Sequence, residues 1–252
     1  MSNSYIFRFA IIMVVLVAAI LTAVATLLKP MQEANKNAEK MQAILSSANI
    51  SVERSEAIDT YKEQLLAEYT VSLDGEIVST YKSGEESADD PNRAFNINMK
   101  KLLDKLKRYK KGDLSEAPDL PLYVLKSTEG DSLFIIPVRG KGLWGPIWGN
   151  IALKKDLNTV VGASFDHDGE TPGLGAEINT DDFANQFKGK KLFNEENEFV
   201  SIDVVKGGVE NSSVPPEHGV DAISGGTITS DGVSDMIEDV IKNYLPFIKK
   251  HK

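Results

Sequence analysis

The 252-residue chain contains no cysteine. That absence excludes disulfides, zinc–thiolate sites, iron–sulfur clusters and a thiol nucleophile together. Histidine is scarce: His167, His218 and His251 stand far apart and offer no metal-ligand spacing. Basic charge is not in surplus either. The formal net charge is −9, which speaks against nucleic acid as a partner. No lysine precedes Thr227 or Thr229 as a Walker-type phosphate loop requires. Ser224 has Ala222 two residues before it, so the Gly-x-Ser-x-Gly pattern of a serine hydrolase fails. A base for Ser224 from His218 would need the loop to fold back. No internal repeat is present. What remains, 42% hydrophobic and 26% charged residues, is the composition of a folded chain.

The first positive feature is "FAIIMVVLVAAILTAVATLL" at residues 9–28, without a charge, proline or glycine. A helix of ~20 residues rising ~1.5 Å each spans a hydrocarbon core of ~30 Å. The run exceeds the ~7–15 apolar residues of a signal peptide. It therefore reads as a single-span anchor, with Ala23-Val24-Ala25 the place a cleaved leader would be cut. Arg8 flanks one end and Lys29, Lys36 and Lys40 the other, so charge counting leaves the orientation open.

Helical spacing of Met31, Ala34, Ala38, Met41 and Leu45 predicts a stalk continuing from the anchor. A second helical piece is expected over 52–69. Residues 84–121 form a polar insert, with a loop at "GEESADDPN". Within it lie seven Lys or Arg between Lys100 and Lys111. This basic helix either faces solvent, with Leu102, Leu103 and Leu106 turned inward, or touches anionic lipid or a partner. From residue 120 the texture changes. "LYVLK", "SLFIIPVR", "WGNIALK", "TVVGASF" and "FVSIDVVKGG" read as strands separated by turns, including Thr128-Glu129-Gly130-Asp131. Thr180 is a candidate cap for a short helix that stops at Gly189. Apolar residues from Val233 to Ile248 recur at helical spacing in a last helix, capped by Ser230 or Asp231 and kinked or ended at Pro246. The expected fold is α+β: an anchor (1–30), a helical stalk and polar insert (31–119), and a mainly antiparallel sheet with packed helices (120–252).

Three glycine-rich stretches are candidates for chemistry: "GKGLWGPIWG" (140–149), "DGETPGLGAE" (168–177) and "HGVDAISGGTITSDG" (218–232). Such loops let backbone N–H groups approach a phosphate or a flat ring. Trp144 and Trp148 are aromatic walls for a planar cofactor, or core residues. Thr171-Pro172-Gly173 reads as a tight turn. Glu170 and Glu177 are candidates for an acid–base pair, but nothing in their spacing demands it and they read as solvated loop carboxylates.

The stretch Asp221–Ser230, "DAISGGTITS", resembles the motif Asp-x-x-Ser-Gly-Ala-Thr-x-Thr of domains that carry FMN as a phosphoester on threonine. With "GKGLWGPI", "GETPGLGAEI", "GKKLF" and "VVKGG" in the same order, the chain is similar over most of its length to the C subunits of sodium-translocating NADH:quinone reductases. The resemblance implies FMN on Thr227, with Thr229 the alternative, in a loop shaped by Ser224, Gly225 and Gly226. It implies that Asp221 belongs to the signal read by a flavin transferase. Glu170, Thr171, Gly173, Leu174 and Gly175 would line the flavin, Leu174 against the ring, and Trp144 would form a second wall. Gly226 departs from the motif, which has alanine there. The implied protein is an anchored flavoprotein of the bacterial inner membrane, surrounded by lipid. Its flavin domain would face the periplasm, and its partners would be the other subunits of a respiratory complex. The alternatives are the FMN subunit of the related ferredoxin-linked complex and a non-catalytic anchored binding module.

Overall fold

The computed structural model describes residues 3–84, 90–127 and 130–252. Most of the expected 84–92 loop, and Thr128 and Glu129 of the expected turn, lie outside the described residues. The chain divides into two compact units, Met1–Lys40 and Met41–Lys252. Helix α1 runs Asn3–Ser47 and carries Pro30 just beyond the apolar run. Residues 3–37 are all exposed, apolar ones included. By length and composition this is the one described helix able to cross a membrane. An exposed surface of Ile, Val and Leu of this extent calls for lipid.

The second unit is built on a six-stranded sheet of order β2-β1-β3-β4-β5-β6. Its strands are β1 (Leu65–Val71), β2 (Ile77–Tyr81), β3 (Leu120–Lys126), β4 (Ser132–Lys141), β5 (Pro146–Leu153) and β6 (Val160–His167). Every neighbouring pair is antiparallel. Both faces are covered, so the inner strands are buried almost throughout rather than alternating with polar residues. One core gathers Leu122, Ile136, Val138 and Ile151 with Leu102 and Leu106 of α3 (Met99–Lys110) and Val233, Met236 and Ile237 of α5 (Thr227–Ile241). The other gathers Tyr123, Leu125 and Ile135 with Ile44 and Leu45 at the end of α1 and Tyr61 of α2 (Ala57–Gln64). Successive residues such as Ile135 and Ile136 thus serve opposite faces, as the pleat requires.

The expected helix over 52–69 is corrected. Only Ala57–Gln64 is helical, and Leu65–Val71 is a strand hydrogen-bonded between β2 and β3. Leu, Ala and Glu in "LLAEYTV" carry helix propensity, but pairing on both sides overrides it. Glu68 hid the strand, because a charge at a buried position breaks the apolar pattern. That charge is matched. Arg93 Nε donates to Glu68 Oε2 (2.9 Å) and Nη2 to Oε1 (2.6 Å). Tyr61 Oη and the Phe95 amide donate to the same carboxylate, each at 3.0 Å.

The basic helix α3 is present, with Leu102 and Leu106 buried, Leu103 half-buried and its basic side chains exposed. Short α4 (Asp181–Asn185) starts at Thr180, whose hydroxyl accepts from the Phe183 amide. Two three-residue strands, β7 (Asp203–Val205) and β8 (Gly219–Asp221), form a parallel pair. The strand expected over 199–208 is thus shortened to three residues, and β8 is too brief to leave a periodicity to read. The last helix begins four residues before Asp231, so Ser230 and Asp231 lie inside α5 and are not its cap. A 3-10 turn, Lys242–Tyr244, separates α5 from α6 (Leu245–His251), and Pro246 occupies the first turn of α6.

Helix α5 lies close on the sheet because Gly232 faces the end of β4. A Cβ there would stand 2.3 Å from the Lys141 carbonyl oxygen. Gly232→Ala is expected to lift α5 and cost about 1–3 kcal/mol by overpacking, measured by urea denaturation.

Candidate functional site

Strand pairing brings the three glycine-rich stretches to one end of the sheet. Residues 142–145 join β4 to β5, and the Gly142 amide donates to the Gly145 carbonyl at 2.8 Å. Ile147 pairs with His167, so the stretch after β6 starts beside this turn; the Asp168 amide donates to the Pro146 carbonyl at 3.0 Å. The contact of Gly232 with β4 brings in the start of α5. Together they enclose a pocket of about 350 Å³. One wall is Leu143 and Trp144, another Thr171, Leu174 and Gly175 beside Glu170, and the third runs from Gly225 to Thr229.

Nine of the twelve residues singled out in the sequence thus share one pocket. Gly173, Ser224 and Asp221 do not line it. Gly173 closes the expected turn, in which the Leu174 amide donates to the Thr171 carbonyl at 3.1 Å. Ser224 is exposed. Asp221 Oδ1 accepts from the Val209 amide at 2.7 Å, tying down a neighbouring loop. Two lining residues, Leu143 and Ile228, were not singled out. Their signal was available: each is a large apolar side chain inside a glycine-rich stretch.

The rim is apolar and open. Leu143 (46%), Trp144 (69%), Leu174 (40%) and Ile228 (56%) are exposed to a degree that large apolar side chains rarely show in groups. Trp148 instead lies half-buried in β5, with the Arg139 guanidinium 5.5 Å from its ring centre.

The two threonines differ sharply. Thr227 is the first residue of α5 and half-buried. Thr229 is 1% exposed, and its hydroxyl donates to Glu170 Oε2 at 2.6 Å. Gly226 caps α5 without a side chain, so helix geometry leaves the amides of Thr227, Ile228 and Thr229 without intrahelical acceptors. Their partial positive charge favours an anion beside Thr227. Gly225, at φ +74°, turns the chain into this position, and a Cβ there would meet Leu174 Cδ2 at 2.6 Å.

Glu170 is not a solvated carboxylate. It is buried, and its Oε1 accepts from the Trp144 amide (2.9 Å) and the Gly145 amide (3.3 Å). Burial alone would raise its pKa. The donors from Thr229, Trp144 and Gly145, with His167 nearby, outweigh burial and hold the carboxyl below the usual range. A depressed folded-state pKa contributes stability above the unfolded value of about 4.3 that is lost as pH falls through the folded one. Stability is therefore expected to fall with acid less steeply in Glu170→Gln than in the parent, measured by urea denaturation across that window. Glu177 is half-buried, accepts from the Gly173 amide at 2.8 Å and stands in no pair with Glu170. His218 directs Nδ1 to the Lys191 carbonyl at 2.7 Å.

A half-buried threonine at a helix start, beside amides without intrahelical acceptors and an apolar rim, suits a nucleotide-like group with a flat ring. Residues 142–242 match the FMN-binding domain family, and this span takes in most of the three stretches. The C subunit of the Na(+)-translocating NADH-quinone reductase of Haemophilus ducreyi is 33% identical over 86% of this chain and 80% of its own length. That of Neisseria meningitidis is 31% identical over 96% and 92%. The crystal structure of the corresponding Parabacteroides distasonis protein superposes with a TM-score of 0.70 at 37% identity, covering 88% of this chain and 96% of that one. The chain belongs to the family formed by the C subunits of the Na(+)-translocating NADH-quinone reductases.

Proposed function

We propose that this protein carries FMN as a phosphoester on Thr227 and relays electrons within a sodium-translocating NADH:quinone reductase. The observation that carries the reading is the contrast between the threonines: both line the pocket, but Thr227 at the head of α5 is half-buried, whereas Thr229 is buried and bonded to Glu170. The amides of Thr227, Ile228 and Thr229 would hold the phosphate. Leu174, Trp144, Leu143 and Ile228 would shelter the ring and exclude water from one side of it. When bound, the isoalloxazine supplies the redox chemistry; the protein fixes its place.

A neutral hydroxyl is a poor nucleophile, so attachment requires a separate flavin transferase. Thr227 Oγ1 would attack a flavin nucleotide activated as a phosphoric anhydride. The new O–P bond forms as the anhydride P–O bond breaks, the nucleotide phosphate leaves, and the hydroxyl proton passes to a base of the transferase. Asp221, exposed and six residues upstream, is the residue offered to that enzyme. α1 would anchor the protein among lipid, with the flavin unit on the periplasmic side and the other subunits of the complex as partners. No residue of this chain is assigned to NADH, quinone or sodium.

The test is coexpression of the full chain with a flavin transferase and mass analysis of the peptide 218–232. The expected result is a gain of one FMN less one water, mapped to Thr227. An unmodified peptide and a colourless protein would replace this reading with that of an anchored binding module.

A further inference from the structure

Glu170 does something no neighbouring residue does: it joins all three glycine-rich stretches through a single carboxylate. Oε1 accepts from two consecutive amides of the 142–145 turn, and Oε2 accepts from Thr229 in the first turn of α5. Its own backbone belongs to the remaining stretch, where its amide donates to His167 Nδ1 at 3.3 Å. Space for it has been cleared on both sides. A Cβ on Gly142 would stand 2.6 Å from Oε1, and one on Gly175 would stand 2.6 Å from Oε2 and 2.5 Å from Thr229 Oγ1. An ionised carboxylate only accepts, and here each bond comes from a donor. A glutamine would have to turn its amide N–H groups toward one of these donors, reversing the Thr229 bond or losing the Trp144 pair. A buried charge is costly, and one fully satisfied in this way rigidifies what it joins.

We propose that Glu170 is a positioning residue for the acceptor site, acting through the Thr229 hydroxyl and the Trp144–Gly145 turn to fix the first turn of α5. This rests on the reading of Thr227 as the modified residue. Fixing Thr229 sets the direction of the helix amides beside Thr227. Fixing residues 144 and 145 stands the Trp144 indole at the pocket mouth. The role of Thr229 is then to donate one hydrogen bond, which any residue with a hydroxyl at that place can do and an isosteric valine cannot.

The test uses the full chain with a flavin transferase and follows FMN transfer to Thr227 by mass. Glu170→Gln and Thr229→Val are expected to slow transfer roughly tenfold, the effect of one charge-assisted hydrogen bond. Thr229→Ser is expected to match the parent, a rescue that mere packing at this site would not produce. Amide hydrogen exchange of the unflavinylated proteins adds a readout without flavin: Trp144 and Gly145 lose protection in Glu170→Gln while the β3 and β4 amides keep theirs. If Glu170→Gln misfolds, the Thr229 pair decides. Transfer at the parental rate in Glu170→Gln or Thr229→Val, or equal losses in Thr229→Ser and Thr229→Val, overturns the proposal. An unmodified parent would remove the Thr227 reading instead, and amide exchange would then decide whether Glu170 ties the loops.

Discussion

Thr227→Ala is expected to abolish covalently bound flavin altogether, leaving no fluorescent band when the denatured protein is run on a gel. The loss should be complete because neither of the other hydroxyls in the 224–229 loop can substitute. Thr229 is two residues on, but its side chain is buried and turned to Glu170. Ser224 is exposed, but it precedes Gly225 and Gly226 and does not line the pocket. The fold should survive the change. Thr227 is half-buried at a helix start, and such substitutions stay within about 0.5 kcal/mol. Urea denaturation of Thr227→Ala should therefore overlay the unflavinylated parent, separating loss of the bond from loss of structure. Persistent label would move the attachment site to Thr229.

The largest effect on stability is expected outside this pocket, at Arg93→Ala. The Glu68 carboxylate side chain is fully buried and takes two of its four hydrogen bonds from Arg93. The guanidinium also lies 3.8 Å from the centre of the Tyr81 ring. Removing Arg93 leaves a buried charge without its counter-ion, which costs about 3–5 kcal/mol. Glu68 sits in β1 and Tyr81 in β2, so the damage should concentrate at this edge of the sheet. The companion variant Arg93→Met with Glu68→Gln should recover much of the loss, since removing both charges avoids stranding one. Urea denaturation of the set checks this. A midpoint for Arg93→Ala equal to the parent's would show that the pair contributes no net stability.

Gly226 stands where the motif that this stretch resembles has alanine. Its φ of −103° would admit any residue, but a Cβ would lie 3.1 Å from Ile223 Cγ2 and 3.3 Å from the Gly175 nitrogen. The β-branched Ile223 fills the room that a methyl group at 226 would need. The departure is local, and Thr227 still lines the pocket.

Much of this protein could be read along the chain because the deciding interactions are local. The apolar run at 9–28 is legible from its length alone, and α1 contains it. Strands β3 to β6 announce themselves by β-branched and aromatic residues between turns. The order of the glycine-rich stretches carried the family. Other features depend on partners distant in sequence, and only the tertiary structure decided them. Residues 65–71 are a strand because β2 and β3 lie on either side, whatever their helix propensity. Glu68 is tolerable in that strand because Arg93, 25 residues later, supplies its counter-charge. Glu170 read as a solvated loop carboxylate and proved buried because Thr229, 59 residues on, donates to it. The same bond distinguishes two threonines that the motif leaves nearly equivalent. A sequence pattern records which groups are present, whereas burial and hydrogen bonding between remote segments determine which hydroxyl remains open.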